Sequence, residues 1–179
     1  MHMKSVLLAL IFVTMTTVTF AQEVSYGVRG GLNISNLDFD PDATFSNQHR
    51  NGFAFGGFVD YGITENFSAQ IEIQYSAEGA KADELRADYI QMPIMARFSL
   101  GDKFAIGVGP MVSLKTWKNK DAFNTFTFSG VGGLEYMITD ELFVDARVHY
   151  GLSNILNEDT VGTLEAQNTT FQFGFGIRI

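Results

Sequence analysis

The chain has 179 residues, room for one domain rather than two. It lacks cysteine, which excludes disulfides, thiolate metal sites and cysteine nucleophiles, and its 46% hydrophobic and 18% charged residues exclude a disordered chain. A net charge of −8 excludes the basic surface of a general nucleic-acid binder, which leaves a glycine- and phenylalanine-rich β domain or a membrane protein.

The first element is an address. Lys4 precedes the apolar run Val6 to Val13, and a threonine-rich stretch leads to Ala21. A charged head, a short apolar core and a small residue before a polar one predict a secretory signal over 1–21, cut after Ala21, with the folded domain over 22–179. The apolar run is too short for a membrane-spanning helix, which needs about 20 such residues. No later stretch is long enough either, so a spanning structure has to be a closed barrel, the other form that satisfies its backbone in lipid.

Eight runs of period two follow. Val24, Tyr26, Val28, Leu32 and Ile34 alternate with Ser25, Gly27, Arg29, Gly31 and Asn33. Phe53, Phe55, Val59 and Tyr61 alternate with Ala54, Gly56, Phe58 and Asp60. Phe67, Ala69, Ile71, Ile73 and Tyr75 oppose Ser68, Gln70, Glu72 and Gln74. Ile90, Met92, Ile94, Ala96 and Phe98 oppose Gln91, Pro93, Met95 and Arg97. Phe104 to Leu114, Phe126 to Tyr136, Leu142 to Tyr150 and Phe171 to Ile179 repeat the pattern, with Lys115, Glu135, Asp145, Arg147, His149 and Arg178 on the polar side.

The connections alternate in length. Long ones are expected near 36–51, 77–87, 117–124 and 154–168, short ones near 62–66, 100–103 and 138–141. An even strand count with loop lengths segregated to two ends predicts an all-β, eight-stranded antiparallel up-and-down transmembrane barrel, with short periplasmic turns and long extracellular loops. Tyr61 to Asn66 and Tyr136 to Glu141 echo each other at an offset of 75, as in a repeated hairpin.

Size decides which face points out. The lumen of an eight-stranded barrel is just filled by side chains or one small ligand. One face here is Phe, Tyr, Ile, Leu and Val; the other is glycine, serine, glutamine and charges. The bulky apolar face therefore points to lipid, against a soluble ligand-binding barrel. Arg29, Asp60, Glu72, Arg97, Lys115, Glu135, Asp145, Arg147 and Arg178 are then lumen residues, five basic and four acidic. They are expected to pair into an internal plug, since buried ions persist only when paired; the competing reading is an ion path. Tyr26, Tyr61, Phe67, Phe98, Phe104 and Tyr136 near the short turns, and Tyr75 and Tyr150 with Phe53 near the long loops, are expected to form two aromatic girdles.

Tyr89-Ile90-Gln91-Met92-Pro93-Ile94 resembles the tyrosine, aliphatic, acid or amide, aliphatic, proline, aliphatic signature of the PorT-like outer-membrane β-barrel proteins, the porin-family barrel domain. Tyr89, Gln91 and Pro93 carry it. Gly107-Val108-Gly109-Pro110 and Tyr26-Gly27-Val28-Arg29-Gly30-Gly31-Leu32-Asn33 are similar to that family's glycine–proline strand and opening strand, and the resemblance covers about 24–179. It implies a small barrel inserted by the barrel-assembly machinery into the outer membrane of a Gram-negative-type bacterium. Some relatives are linked to secretion machinery for surface proteins, and the family brings no catalytic residue and no cofactor. Such barrels often end in an aromatic residue; this chain ends in Ile179.

Three groups carry candidate chemistry. His149, Ser153 and Asn154 are similar to the rim residues of lipid-A deacylase barrels, but four positions on a strand separate histidine and serine by about 13 Å, and a base needs about 3 Å. Asp38, Asp40 and Asp42 alternate in the first long loop as weak candidates for a divalent metal, without the glycine and glutamate of a calcium loop. Lys115, Lys118 and Lys120 surround Trp117 and could meet lipid phosphates. The expected protein is therefore no enzyme but an outer-membrane anchor presenting surface loops. Membrane lipid and lipopolysaccharide surround it, and a secretion-system or surface protein is its expected partner. The alternative is a narrow porin-like channel for small solutes.

Overall fold

The computed structural model describes residues 23–42, 44–45, 47–116 and 122–179. The expected signal segment, with Trp117, Lys118 and Lys120, lies outside them. Eight strands follow in chain order: β1 (Val24–Asp40), β2 (Arg50–Thr64), β3 (Phe67–Gly79), β4 (Arg86–Leu100), β5 (Phe104–Lys115), β6 (Phe126–Met137), β7 (Leu142–Gly151) and β8 (Glu165–Arg178). Each pairs antiparallel with its sequence neighbours, and β1 pairs with β8, so the sheet closes into an up-and-down barrel. A 3-10 turn (Asp83–Leu85) and one short helix (Glu158–Val161) decorate the long-loop end.

Alternation sets the faces as the composition requires. Leu32, Val28, Phe53, Phe55, Ile71, Ile73, Val108, Phe173 and Phe175 stand exposed on the outer wall, while Arg29, Asn33, Glu72, Gln74, Gln91 and Gln172 are buried inside it. The tightest lumen positions fall to glycine for lack of space. A Cβ on Gly27 would stand 2.2 Å from the ring of Phe58, and one on Gly176 would stand 2.3 Å from the ring of Phe143. Two phenylalanines thus enter the lumen because their cross-strand partners, Gly27 and Gly176, carry no side chain.

The two motif prolines lie within the closed sheet, where an absent N–H costs a ladder bond. Pairing between β3 and β4 lapses between Ile71↔Ile94 and Gln74↔Gln91, beside Pro93. Pairing between β4 and β5 lapses between Pro93↔Met111 and Ala96↔Val108, beside Pro110. Register is the same on either side of each gap, so the cost stays local.

The strands outrun the boundaries expected from sequence. β1 continues to Asp40 and pairs with β8 as far as Asp40↔Glu165; β3 reaches Gly79 and β4 begins at Arg86. The expectation of loops from 36, 77 and up to 168 is corrected accordingly. The physical reason is an inversion of polarity. Below residue 35, β1 points Arg29 and Asn33 inward and Leu32 and Ile34 outward. Above it, Leu37 is buried inside and Asp38 and Asp40 face out. β8 mirrors this, with Gln172 in and Phe171 out below, Ala166 in and Glu165 out above. The period of two never stops; what changes is which face is apolar. The alternating acids Asp38 and Asp40 are therefore the outer face of a strand rather than part of a loop, and Asp42 alone of the three follows the strand.

Candidate functional site

The barrel interior is the chemically dense part of the molecule. It is built in tiers from the short-turn end upward. In the lowest, Arg178 hydrogen-bonds Asp60 and meets both carboxylate oxygens of Glu135 at 3.1 Å, while Arg97 pairs with Glu135 and lies 3.6 Å from Asp60. The Arg178 guanidinium covers the rings of Phe58 and Phe143 at 5.0 and 5.7 Å, and those rings meet edge to face at 5.8 Å. Rings and arginine together close the lower lumen. A funnel of about 460 Å³ opens below them, lined by Ser25, Ser68, Ser99 and Glu23.

The next tier is fully buried. Arg29 donates through Nε to one Asp145 oxygen at 3.0 Å and through Nη2 to the other, and its Nη1 reaches Glu72, Gln74 and Gln172. Arg147 donates to the second oxygen of Glu72 at 2.7 Å. Glu135 and Asp145 are direct cross-strand partners on β6 and β7, an arrangement of like charges that destabilises a sheet unless cations intervene. The arginines intervene. Four of them meet four carboxylates, and each of the eight makes at least one ion pair. Gly174 supplies the room: a Cβ there would lie 2.5 Å from Arg29 and 3.0 Å from Asp145.

Above the charges lies an amide tier. Gln74 donates to Gln91 at 2.9 Å, Gln91 to Glu78 at 3.0 Å, Gln172 to Asn33 at 2.9 Å, and Asn33 to Ser76 at 2.9 Å. Glu78 also accepts from Ser76 and Asn168, and the His149 ring stands 3.6 Å from it. On the β4 to β6 side Met95, Met111 and Val131 fill the lumen instead. Beside them, a cavity of about 20 Å³ next to Gln70 is the size of a single water molecule.

The long-loop end is closed by an apolar cluster. Leu37, Ala80, Ala87, Tyr89, Phe123, Ile155, Leu156 and Ala166 are buried together, with Phe39, Leu85, Ala122, Val161 and Leu164 packed against them. Asn124 donates to the carbonyls of Asn154 and Leu156, and the Asn154 side-chain oxygen accepts from Leu156 and Ala166, so asparagines tie the third long loop to the fourth.

The expected lumen charges thus come together, Lys115 excepted. Its ammonium donates to the Phe123 carbonyl at 2.7 Å, at the base of the apolar cap. Each motif residue has its own place: Tyr89 in the cap, Gln91 in the amide tier, Pro93 at a ladder gap. His149 is buried against Glu78, whereas the Ser153 hydroxyl engages the backbone of Phe128, so the two do not meet as base and nucleophile. Asp38 accepts from Thr169 of β8 at 2.8 Å. Among the described residues no group of three or more histidine, aspartate or glutamate side chains is placed to hold a metal.

Sequence reasoning missed Glu78, Asp88 and Arg50. Arg50 pairs with Asp88 at 2.8 Å and donates to the Glu78 carbonyl, and Asp88 also meets the Tyr75 hydroxyl. For Glu78 the signal was available: Gln70, Glu72, Gln74, Ser76 and Glu78 continue one inward face.

On the outer wall Phe67 and Phe98 lie 4.9 Å apart, as do Phe104 and Tyr136, all toward the short turns with Tyr26 and Tyr61 exposed nearby. Toward the long loops Tyr75 packs against Phe53 and Phe55 at 5.7 and 5.5 Å, and Tyr150 is exposed.

Solved structures share this architecture. Neisserial surface protein A is 14% identical, with a TM-score of 0.57 over 87% of this chain and 98% of its own. The attachment invasion locus protein Ail of Yersinia pestis is 15% identical, with a TM-score of 0.54 over 88% of this chain and 99% of its own. Ail in a phospholipid bilayer nanodisc gives a TM-score of 0.53 at 14% identity, over 88% of this chain and all of that one. At such identity the likeness is one of fold. No curated protein matches the chain in sequence. The family model for the outer membrane protein beta-barrel domain matches residues 5–178, nearly the whole length, and the chain belongs to that family.

Proposed function

We propose that this barrel is a non-conducting anchor that holds its long loops at the cell surface. One observation carries the reading: above the funnel at the short-turn end, the lumen is filled. Rings and Arg178 close the lower end, paired charges and amides occupy the middle, and an apolar cluster seals the upper end. A conducting pore needs a continuous water path, and the small cavity beside Gln70 provides none.

The remaining particulars belong to the same reading. Residues 1–21 are the cleaved signal and 22–179 the inserted domain. The short turns face the periplasm and the long loops the exterior. Tyr26, Tyr61, Phe67, Phe98, Phe104 and Tyr136 form the inner girdle, Tyr75 and Tyr150 the outer one. Resemblance at Tyr89, Gln91 and Pro93 supports a PorT-like barrel delivered by the assembly machinery, with a surface or secretion protein as partner of the loops. Asp38, Asp40 and Asp42 remain open to a divalent ion at the surface.

The test is conductance of the refolded mature barrel in a planar bilayer, with insertion verified by a heat-dependent shift in gel mobility. Silent insertion is the expected result. Reproducible current steps overturn the anchor and make the protein a narrow channel. Neutralising Arg97 or Glu72 should then change its ion selectivity.

A further inference from the structure

A groove of about 750 Å³ lies on the flank of the first two long-loop hairpins, lined by Asn36, Asn47, Gln48, His49, Arg50, Asn51, Lys81 and Arg86. Every lining residue is an amide or a base, in a chain whose net charge is −8. Backbone pairing fixes the walls: His49 bridges Ala80, the Lys81 N–H donates to the Gln48 carbonyl at 2.9 Å, and Ser35 pairs with Arg50. Arg50 pairs with Asp88, which also meets the Tyr75 hydroxyl on the outer wall, and Arg86 meets Asp83 in an exposed pair. Lys81 stands exposed, in no ion pair among the described residues. The side-chain oxygens of Asn36 and Asn47 are buried and accept no hydrogen bond among the described residues. Asp38, next outward on β1, is engaged with Thr169 on the far side of the strand.

Height on the barrel identifies the occupant. Asn36 and Asn51 lie on the outer face at the level where β1 turns from Ile34 to Asp38. Directly below Asn51, two residues along the same face and so about 7 Å away, Phe53 begins the aromatic patch it forms with Phe55 and Tyr75. Cationic and amide groups above, continuous with exposed rings beneath, match an amphiphile with an anionic, hydroxyl-rich head and acyl chains. A free anion would make no use of the rings.

We propose that this groove binds the phosphorylated saccharide head of an outer-leaflet glycolipid, whose chains lie on Phe53, Phe55 and Tyr75. Lys81 and Arg86 meet phosphate, His49 and the amide N–H groups donate to it, and the oxygens of Asn36 and Asn47 accept from sugar hydroxyls. The proposal rests on residence of the barrel in the outer membrane and is independent of whether the lumen conducts, since the groove lies outside the lumen.

The experiment places the mature barrel in phosphatidylcholine nanodiscs containing either a bis-phosphorylated acylated diglucosamine or the same lipid without phosphates. Native mass spectrometry then counts retained glycolipid. The wild type should retain the phosphorylated lipid about tenfold or more over the dephosphorylated one, and the double variant K81E/R86Q should lose that preference. K103E at the opposite end should keep it. Both variants change exposed side chains, and the heat-dependent gel shift verifies their folding. Equal retention of the two lipids, or retention unaffected by K81E/R86Q, overturns the proposal. Displacement by inorganic phosphate at equal concentration also overturns it, by making the groove a free-anion site. Either result leaves the conductance measurement standing.

Discussion

The waist of the barrel and its long-loop end are organised by opposite rules. At the waist the interior is arginine, carboxylate and glutamine, and the exterior is phenylalanine and isoleucine. At the long-loop end the interior is Leu37, Tyr89, Ile155 and Leu156, and the exterior is aspartate, lysine and arginine. The solvent outside makes the difference. Lipid takes the apolar side chains at the waist and leaves the narrow lumen to groups that satisfy one another. Water above the membrane restores the usual order, and the same strands bury their apolar side inward. One molecule thus shows two core types in series, and the height at which they exchange marks the membrane boundary.

The sharpest way to break the waist is to remove one ion. Arg29→Met leaves the buried Asp145 without its bidentate partner, and should cost about 3–5 kcal/mol, read by urea titration of the refolded barrel with gel mobility as the signal. Adding Asp145→Leu should restore most of the loss, because the paired charges contribute little beyond a well-packed apolar pair. At the cap the corresponding test is Leu37→Ala, expected to cost about 2–4 kcal/mol from lost burial and the cavity left behind. It should also expose the third and fourth long loops to protease, while the Arg29 variant should leave those loops protected relative to its own stability.

Two smaller effects locate the boundary. Ile71→Arg puts a charge on the lipid-facing wall between the two aromatic groups and should cost about 2–4 kcal/mol. Asp38→Arg makes an equally drastic change of charge where the wall has already turned polar, and should shift stability by less than about 0.5 kcal/mol. If the second cost approached the first, the exchange of core types would not mark the water line.

Much of the waist was legible in the sequence because a strand in lipid reports its face by simple alternation. Arg29, Glu72, Asp145 and Arg147 could be placed inward from their neighbours alone. Their partners could not, since Arg29 and Asp145 lie 116 residues apart and only the closed register brings them together. Gly27, Gly174 and Gly176 read as small residues, whereas their use is to clear space for Phe58, the Arg29–Asp145 pair and Phe143. The cap was misread for a different reason. Leu37, Asp38, Phe39 and Asp40 keep the strand period but reverse its polarity, and a reversed face looks like the end of a strand when one solvent is assumed throughout. Tyr89 was seen as a motif residue and not as the floor of an apolar plug, because its packing partners Phe123, Ile155 and Leu156 come from loops with no periodicity of their own.

The charge network also dictates an order of events during assembly. Arg29 sits on the first strand, while Asp145 and Gln172 come from the seventh and eighth. Arg178 on the last strand reaches Asp60 on the second. An incomplete sheet therefore carries arginines and carboxylates that have not met all their partners, since Arg29 waits for Asp145 and Asp60 for Arg178. Contacts of such sequence separation make closure slow and all-or-none. The β1–β8 seam, with fourteen aligned residue pairs from Gly27↔Arg178 to Asp40↔Glu165, is where the chain's two ends commit. Until that seam zips, the unmatched ions make burial in lipid costly, so the form the bilayer accepts best is the barrel complete from first strand to last.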